Sequence, residues 1–380
     1  MNDAHVLVYF GEDPSRAYQL VQWLDVLAVL DATRPVTVVL RDPAVARLLD
    51  GSTRLPVVTA ESYPELMEAY AELDAKVVLY VNNSPTNFAS LVDSRMLHVH
   101  INHGESDKHS MASNNAKAYD RVLVAGEAAV RRHTEALMEL DTSRLVRVGR
   151  PQLDLPRRPL IERSDRRTIL YAPTWEGDAD YNDYTSLDVL GVEIVRAALA
   201  VPGARLVYKP HPKIVTSLTP AVAEAHLAVL ELVEQAAAAD PAAGHTAVVS
   251  GDILAVMSDC DLLVCDVSSV GLDWLYLCTD RPLVLTDRHD DAALFARDVP
   301  VSRGADVVTA RTVADLADLL ADRLEQDEHL LARHQLRRFY FDDLAVGEST
   351  VRFVRTVSDL CDRRDRLQGL GTDEALPVPS

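Results

Sequence analysis

Short runs rich in Val, Leu and Ile alternate with helix-patterned stretches along almost the whole chain. This alternation constrains the fold more than any other feature. Residues 5–10, 35–40, 55–59, 76–81, 96–101, 121–125 and 145–148 read as strands of a first half. Helical periodicity fills 15–30, 44–50, 63–73 and 127–140 between them. A second half repeats the pattern, with strands at 168–171, 204–208, 247–249, 261–265, 282–285 and 306–309. Its helices fall at 187–199, 220–238, 253–257, 272–277 and 312–326, and a last one at 347–367. Strands that alternate with helices need crossover connections and imply a mostly parallel sheet.

At 380 residues the chain is too long for one hydrophobic core, so two α/β domains are expected. The stretch 150–167 is rich in Arg and Pro and poor in apolar residues, which marks a linker. The expected organisation is a first Rossmann-like domain over 1–150, on the acceptor side, and a basic linker over 151–167. A second, nucleotide-donor domain covers 168–345. A C-terminal helix over 346–370 could pack back toward the first domain, and 371–380 forms a flexible tail. Two Rossmann-like halves facing across a cleft correspond to the architecture called GT-B.

Charge excludes some functions. There are 38 basic and 58 acidic residues, a net charge of -20. Such a surface repels polyanions, so nucleic acid is not expected as a partner and adhesion to an anionic membrane is disfavoured. Against that background Arg144, Arg147, Arg150, Arg157, Arg158, Arg163, Arg166 and Arg167 crowd together, as a solvated basic linker or as a local patch that steers anions. The four cysteines include no CxxC pair, which suits a reducing compartment. Met1-Asn2-Asp3-Ala4-His5 lacks the pattern of a secretory signal, and no apolar run is long enough to span a bilayer. A cytoplasmic protein is expected, peripheral at the inner face of the membrane at most.

Three turns carry the chemistry, each just after an expected strand. His103-Gly104-Glu105-Ser106 follows 96–101, Lys209-Pro210-His211-Pro212 follows 204–208, and Asp266-Val267-Ser268-Ser269 follows 261–265. In open α/β sheets ligands bind at this carboxyl edge. His103 titrates near neutral pH and could serve as a general base, with Gly104 allowing close approach. Flanking prolines would hold His211 rigidly, so that it and Lys209 could stabilise charge on a transferring phosphoryl group. Ser268 and Ser269 open a helix whose N-terminus could hold phosphate, or Ser268 could simply cap it. Each of the two histidine turns could equally be structural. A competing reading takes His98, His100 and His103, with spacing H-x-H-x-x-H, as ligands of a zinc hydrolase, with His109 and His133 as further candidates. The spacing is similar to the metallo-β-lactamase signature H-x-H-x-D-H, with Asn102 where that family has Asp. The G-x-S-x-G, P-loop and G-x-G-x-x-G signatures are missing from the chain.

Taken in order, these segments resemble the CDP-glycerol glycerophosphotransferase family of teichoic-acid and capsule polymer synthesis. His103-Gly104 is similar to the family's His-Gly turn, with Lys108 in the place of a following lysine. Gly149-Arg150-Pro151-Gln152-Leu153-Asp154 resembles G-x-P-R-x-D. Tyr171-Ala172-Pro173-Thr174-Trp175 matches Y-A-P-T-W, and Lys209-Pro210-His211-Pro212 matches a basic-x-His-Pro turn. Cys265-Asp266-Val267-Ser268-Ser269-Val270 with Asp273 resembles T-D-Y-S-S-x-x-x-D. Arg281-Pro282 and Phe341-Asp342-Asp343-Leu344 fit as well. The chain departs from the pattern at Glu105-Ser106-Asp107 (in place of Thr-Pro-Leu), at Gln152, at Glu176 and at Val267.

The resemblance implies a transferase with CDP-glycerol or a related CDP-alcohol as donor substrate, no metal and no other cofactor. It implies a polymer or lipid-linked acceptor, release of CMP, and possible docking to a membrane-bound partner. By the same resemblance His103 and His211 would be catalytic. Gly104, Lys108, Thr174, Lys209, Asp266, Ser268 and Ser269 would bind substrate. A nucleotide-sugar glycosyltransferase or a UDP-GlcNAc 2-epimerase-like enzyme of the same fold is the alternative within this architecture. A non-catalytic protein that keeps the nucleotide cleft is a further one.

Overall fold

The structure, a computed structural model, describes residues 5–108, 111–177 and 179–369. The tail expected at 371–380 and His109 lie outside the described residues. The chain divides into two compact units. The first holds the chain up to His103, Ala112–Leu155 and the chain from Leu344; the second holds Gly104–Met111 and Pro156–Asp343.

The first unit is built on seven parallel strands. They are β1 (Val6–Phe10), β2 (Val36–Leu40), β3 (Val57–Thr59), β4 (Val77–Tyr80), β5 (Leu97–His100), β6 (Arg121–Val124) and β7 (Leu145–Arg147). Their order is β3-β2-β1-β4-β5-β6-β7. Every residue of β1, β2 and β4 is buried, the signature of strands covered on both faces by helices. Ser62 and Glu65 form a capping box that starts the helix Tyr63–Leu73. The C-terminal helix Glu348–Leu367 belongs to this unit and places Phe353, Val357, Leu360 and Cys361 in its core. Phe353 packs on Trp23 at 5.1 Å between ring centroids.

The second unit repeats the winding with β8 (Thr168–Ala172), β9 (Arg205–Tyr208), β10 (Thr246–Ala247), β11 (Leu262–Cys265), β12 (Leu283–Thr286) and β13 (Asp306–Val308). The order β10-β9-β8-β11-β12-β13 is again all parallel. In both sheets the strand order reverses beside the first strand, between β1 and β4 and between β8 and β11. The fold is α/β, made of two Rossmann-like units of GT-B type.

Several elements differ from the sequence reading. The helix expected over 15–30 is broken into Tyr18–Val21 and Leu24–Asp31. At the break Trp23 donates its indole N–H to the carbonyl of Asn102 at 2.6 Å. The helix Leu330–Phe341 was not expected, because its polar, Arg-rich sequence hides the stripe formed by Leu336, Tyr340 and Phe341. The stretch read as a linker is divided between the units. Pro151–Asp154 is a short helix of the first, and the chain from Pro156 lies on the second.

Five of the eight arginines crowded in that region have partners within the fold. Arg157 pairs with Asp252 at 3.2 Å, Arg166 with Asp240 at 3.0 Å and Arg167 with Asp261 at 3.4 Å. Arg147 pairs with Glu127, and Arg144 donates to the carbonyls of Lys117 and Tyr119. Acidic partners compensate much of the local positive charge within the fold.

Candidate functional site

The carboxyl ends of β8 and β11 lie side by side where the second sheet reverses its strand order, the position at which such sheets bind ligands. Asp266 stands at the end of β11 and is 0 % exposed. Its carboxylate accepts the backbone N–H of Thr174, from the loop after β8, at 2.6 Å. It also accepts the hydroxyl of Thr286, at the end of β12, at 2.6 Å. Ser186 bonds it through side chain and backbone and in turn meets the Tyr171 hydroxyl at 2.8 Å. Burial pushes the Asp266 carboxyl up to about 6 despite these donors. Asp266 is therefore an internal organiser of three strand ends, enclosed away from solvent.

Thr174 is buried as well, and its hydroxyl accepts from the ammonium of Lys108 at 3.5 Å. That ammonium lies 5.4 Å from the centroid of the Tyr184 ring. Burial lowers the Lys108 pKa to about 8, against the opposing pull of the Asp266 and Asp183 carboxylates. Arg288 holds the loop that carries Tyr184, donating to Asp183 at 2.9 Å, to the Thr185 carbonyl at 2.8 Å and to Asp188 at 3.1 Å. Lys108 is thus a cation held by polar and aromatic groups at a strand-end edge, suited to an anionic ligand. Gly104 opens the segment that brings it there and is half-buried.

His211 follows β9 and caps the short turn Pro212–Thr216. Its Nδ1 accepts the backbone N–H of Lys213 at 3.2 Å, which puts the proton of the neutral ring on Nε2. The imidazole stacks on Trp175 with centroids 6.2 Å apart and planes at 28°. The Lys213 ammonium sits 3.6 Å from the centroid of the same indole, a cation–π contact. Glu176 accepts the Ser217 hydroxyl and ties the β8 loop to this turn. Lys209 is buried, and desolvation lowers its pKa against the attraction of Asp252. Ser268 caps the helix Ser269–Leu277, accepting from the N–H of Val270 at 3.3 Å; Ser269 is its first residue.

His103 belongs to the first unit. It follows β5 after Asn102, whose φ of 53° turns the chain. The ring meets Tyr18 edge-on at 6.1 Å, and Nδ1 is enclosed with no hydrogen-bond partner among the described residues. Burial, reinforced by the positive Arg150 and Arg16, lowers its pKa to about 4. The imidazole is neutral at pH 7 and able to take a proton.

The zinc reading does not survive the geometry. Both ring nitrogens of His98 are engaged, with the Tyr80 hydroxyl and the Asp93 carbonyl, each at 2.7 Å. His100 stacks on Tyr119 at 5.1 Å, and His133 binds the Ala129 carbonyl through Nδ1 at 2.8 Å. Among the described residues no group of three His, Cys, Asp or Glu is placed to hold a metal ion.

The second unit brings Lys108, Thr174 and Asp266 together in direct contact. It places His211, Lys209, Ser268 and Ser269 on the strand ends and turns of the same sheet. Tyr184, Ser186, Thr286 and Arg288 complete the site and were missed by sequence reasoning. Tyr184, Ser186 and Arg288 lie outside the strands in segments that carry no motif, and Thr286 ends β12, so its position after an expected strand was the one available signal.

Comparison with known proteins bears on the fold and on the family. A Listeria monocytogenes protein assigned as a UDP-N-acetylglucosamine 2-epimerase is similar in structure, with TM-score 0.61, 14% identity and 97% of each chain covered. The wall teichoic acid polymerase TagF, in a structure with CDPG, gives TM-score 0.57 at 13% identity, covering 96% of this chain and 90% of that one. MurG of Acinetobacter baumannii gives 0.53 at 12% identity, over 93% and 99%. At these identities the likeness is one of fold. No curated protein is significantly similar to the chain in sequence. Residues 92–359, which include every candidate site residue above, match the family described as CDP-Glycerol:Poly(glycerophosphate) glycerophosphotransferase. The chain belongs to that family and is a transferase of the CDP-glycerol glycerophosphotransferase type.

Proposed function

We propose that the protein transfers a polyol phosphate, glycerol phosphate foremost, from a CDP-activated donor to a hydroxyl of a cell-wall or capsule polymer or its lipid-linked primer. The observation that carries this reading is the Lys108–Thr174–Asp266 constellation at the strand-order reversal of the second sheet, inside the family-matched region. The acceptor oxygen attacks the phosphorus that bears the polyol, and the bond from that phosphorus to the bridging oxygen of CMP breaks. The acceptor proton passes to the neutral imidazole of His103, and CMP departs with the electron pair. Lys108 and the Nε2–H of His211 offset charge on the diphosphate. Asp266 acts indirectly, by holding the Thr174 loop. Ser268 and Ser269 place the start of a nine-residue helix beside this edge, where its N–H groups favour an anion. A buried Lys209 adds positive potential beneath the turn.

The nucleotide-sugar alternative shares the fold, and fold alone does not decide chemistry. The family match favours glycerophosphotransfer. No helix among the described residues is long and apolar enough to cross a membrane. A lipid-linked acceptor would draw the protein to the inner membrane face through that substrate or a bound partner.

The test is CMP release from CDP-glycerol and CDP-ribitol with a polyol-phosphate acceptor, for wild type and His211→Ala. Acceptor-dependent release that is lost in the variant is expected. No release from either donor, with stabilisation by a UDP-sugar instead, would overturn the reading.

A further inference from the structure

Gly104–Met111 follows β5 of the first sheet in the chain, yet it belongs to the second unit. Asp107 fastens it there. Its Oδ2 accepts the hydroxyl of Tyr340 at 2.5 Å and the backbone N–H of Val301 at 3.3 Å. Both donors stand on fixed parts of that unit. Tyr340 is 0 % exposed in the helix Leu330–Phe341. The same helix is locked by Arg333, which donates to the carbonyls of Thr279 and Gly304 and pairs with Asp327. Val301 lies in the turn Pro300–Gly304, which packs on that helix. Glu105 and Ser106 are buried alongside.

The next residue is Lys108. A lysine side chain carries about 2 kcal/mol of rotamer entropy. One 3.5 Å contact to the Thr174 hydroxyl is a weak restraint on its ammonium. The backbone from which the side chain springs must therefore be placed by something firmer. The carboxylate one residue earlier, with its two donors, is that anchor.

We propose that Asp107 is a positioning residue for Lys108: by clamping its segment to Tyr340 and Val301, it holds the Lys108 ammonium over Thr174, where it meets the diphosphate of the donor. This rests on Lys108 being a donor contact. In this role Asp107 acts through Lys108. The groups that face the ammonium are the carboxylates of Asp266 and Asp183, the Thr174 hydroxyl and the Tyr184 ring.

The experiment measures CDP affinity by calorimetry for wild type, Asp107→Ala, Tyr340→Phe, Lys108→Ala and the double variant Asp107→Ala/Lys108→Ala. Tyr340→Phe keeps the packing and removes only the hydroxyl, so it reads the anchor even if Asp107→Ala folds poorly. Each anchor variant should weaken CDP about tenfold, the size expected for a lost charged hydrogen bond. In the Lys108→Ala background the anchor substitution should add nothing, because its effect runs through the missing ammonium. The alkaline pH at which CDP affinity falls should also rise in Tyr340→Phe, as the ammonium gains solvent. Unchanged affinity in both anchor variants, or full additivity in the double variant, would overturn the proposal. Normal CDP binding by Lys108→Ala would instead overturn the donor-contact reading, and this proposal with it.

Discussion

Asp266 and Thr174 are joined by a 2.6 Å hydrogen bond that runs from the backbone of one strand-end loop to a buried carboxylate on the neighbouring strand. The same carboxylate holds Thr286 and Ser186, so one side chain sets the relative positions of three strand ends. Asp266→Ala leaves these buried donors without an acceptor. The expected cost is about 3–5 kcal/mol of stability, with loss of transfer activity. Urea denaturation and CMP release measure the two effects.

Asp266 also makes a signed pH prediction. Its folded pKa, about 6, lies above the ordinary carboxylate value of 3.8. The group's contribution is therefore fully present below pH 3.8 and is lost as pH rises through 6, by about 3 kcal/mol in all. Asp266→Asn does not titrate. The stability of wild type relative to this variant should fall between pH 4 and 7. A constant difference across that range would refute the raised pKa.

His103→Ala should lower turnover at least 100-fold while CDP affinity stays within about threefold, since a base acts in the transition state. In wild type the acid limb of the rate profile should lie near 4, where the half-buried imidazole takes up its proton. A limb near 6.5 that disappears in the variant would mean that the imidazole is solvated during turnover.

His100 is buried against Tyr119, and burial lowers its pKa to about 3. A histidine kept neutral in the fold contributes stability above its unfolded pKa of 6.5, and that stability is lost as pH falls from 6.5 toward 3. His100→Phe preserves the ring stack and removes the titration. Between pH 7 and 5 the variant should lose about 2 kcal/mol less stability than wild type. Denaturant midpoints at the two pH values check this.

Lys108, with its pKa lowered to about 8, should make CDP affinity fall as pH rises from 7 to 9. Lys108→Met should bind CDP about tenfold more weakly at pH 7 and lose this alkaline fall. Titration calorimetry at the two pH values provides the comparison.

The sequence by itself determined the two α/β halves, most of the strands and the turns at their carboxyl ends. Those features are local: a β-branched run makes a strand, and the turn that follows lies at the edge of the sheet whatever the strand order. Tyr171–Trp175 and Asp266–Ser269 were legible for that reason. Tertiary structure decided what each residue does there. Asp266 reads in the sequence as a substrate contact by resemblance alone; its place as a buried organiser follows from β8, β11 and β12 pairing side by side and bringing Thr174 and Thr286 to it. Lys108 lies in the first half of the chain but meets Thr174 of the second, a contact set by Asp107 and Lys108 belonging to the second unit. The arginines of 144–167 read as a basic stretch because their partners Asp240, Asp252 and Asp261 are far away in sequence. Pairings of this kind depend on crossovers between distant segments, and no local propensity encodes them.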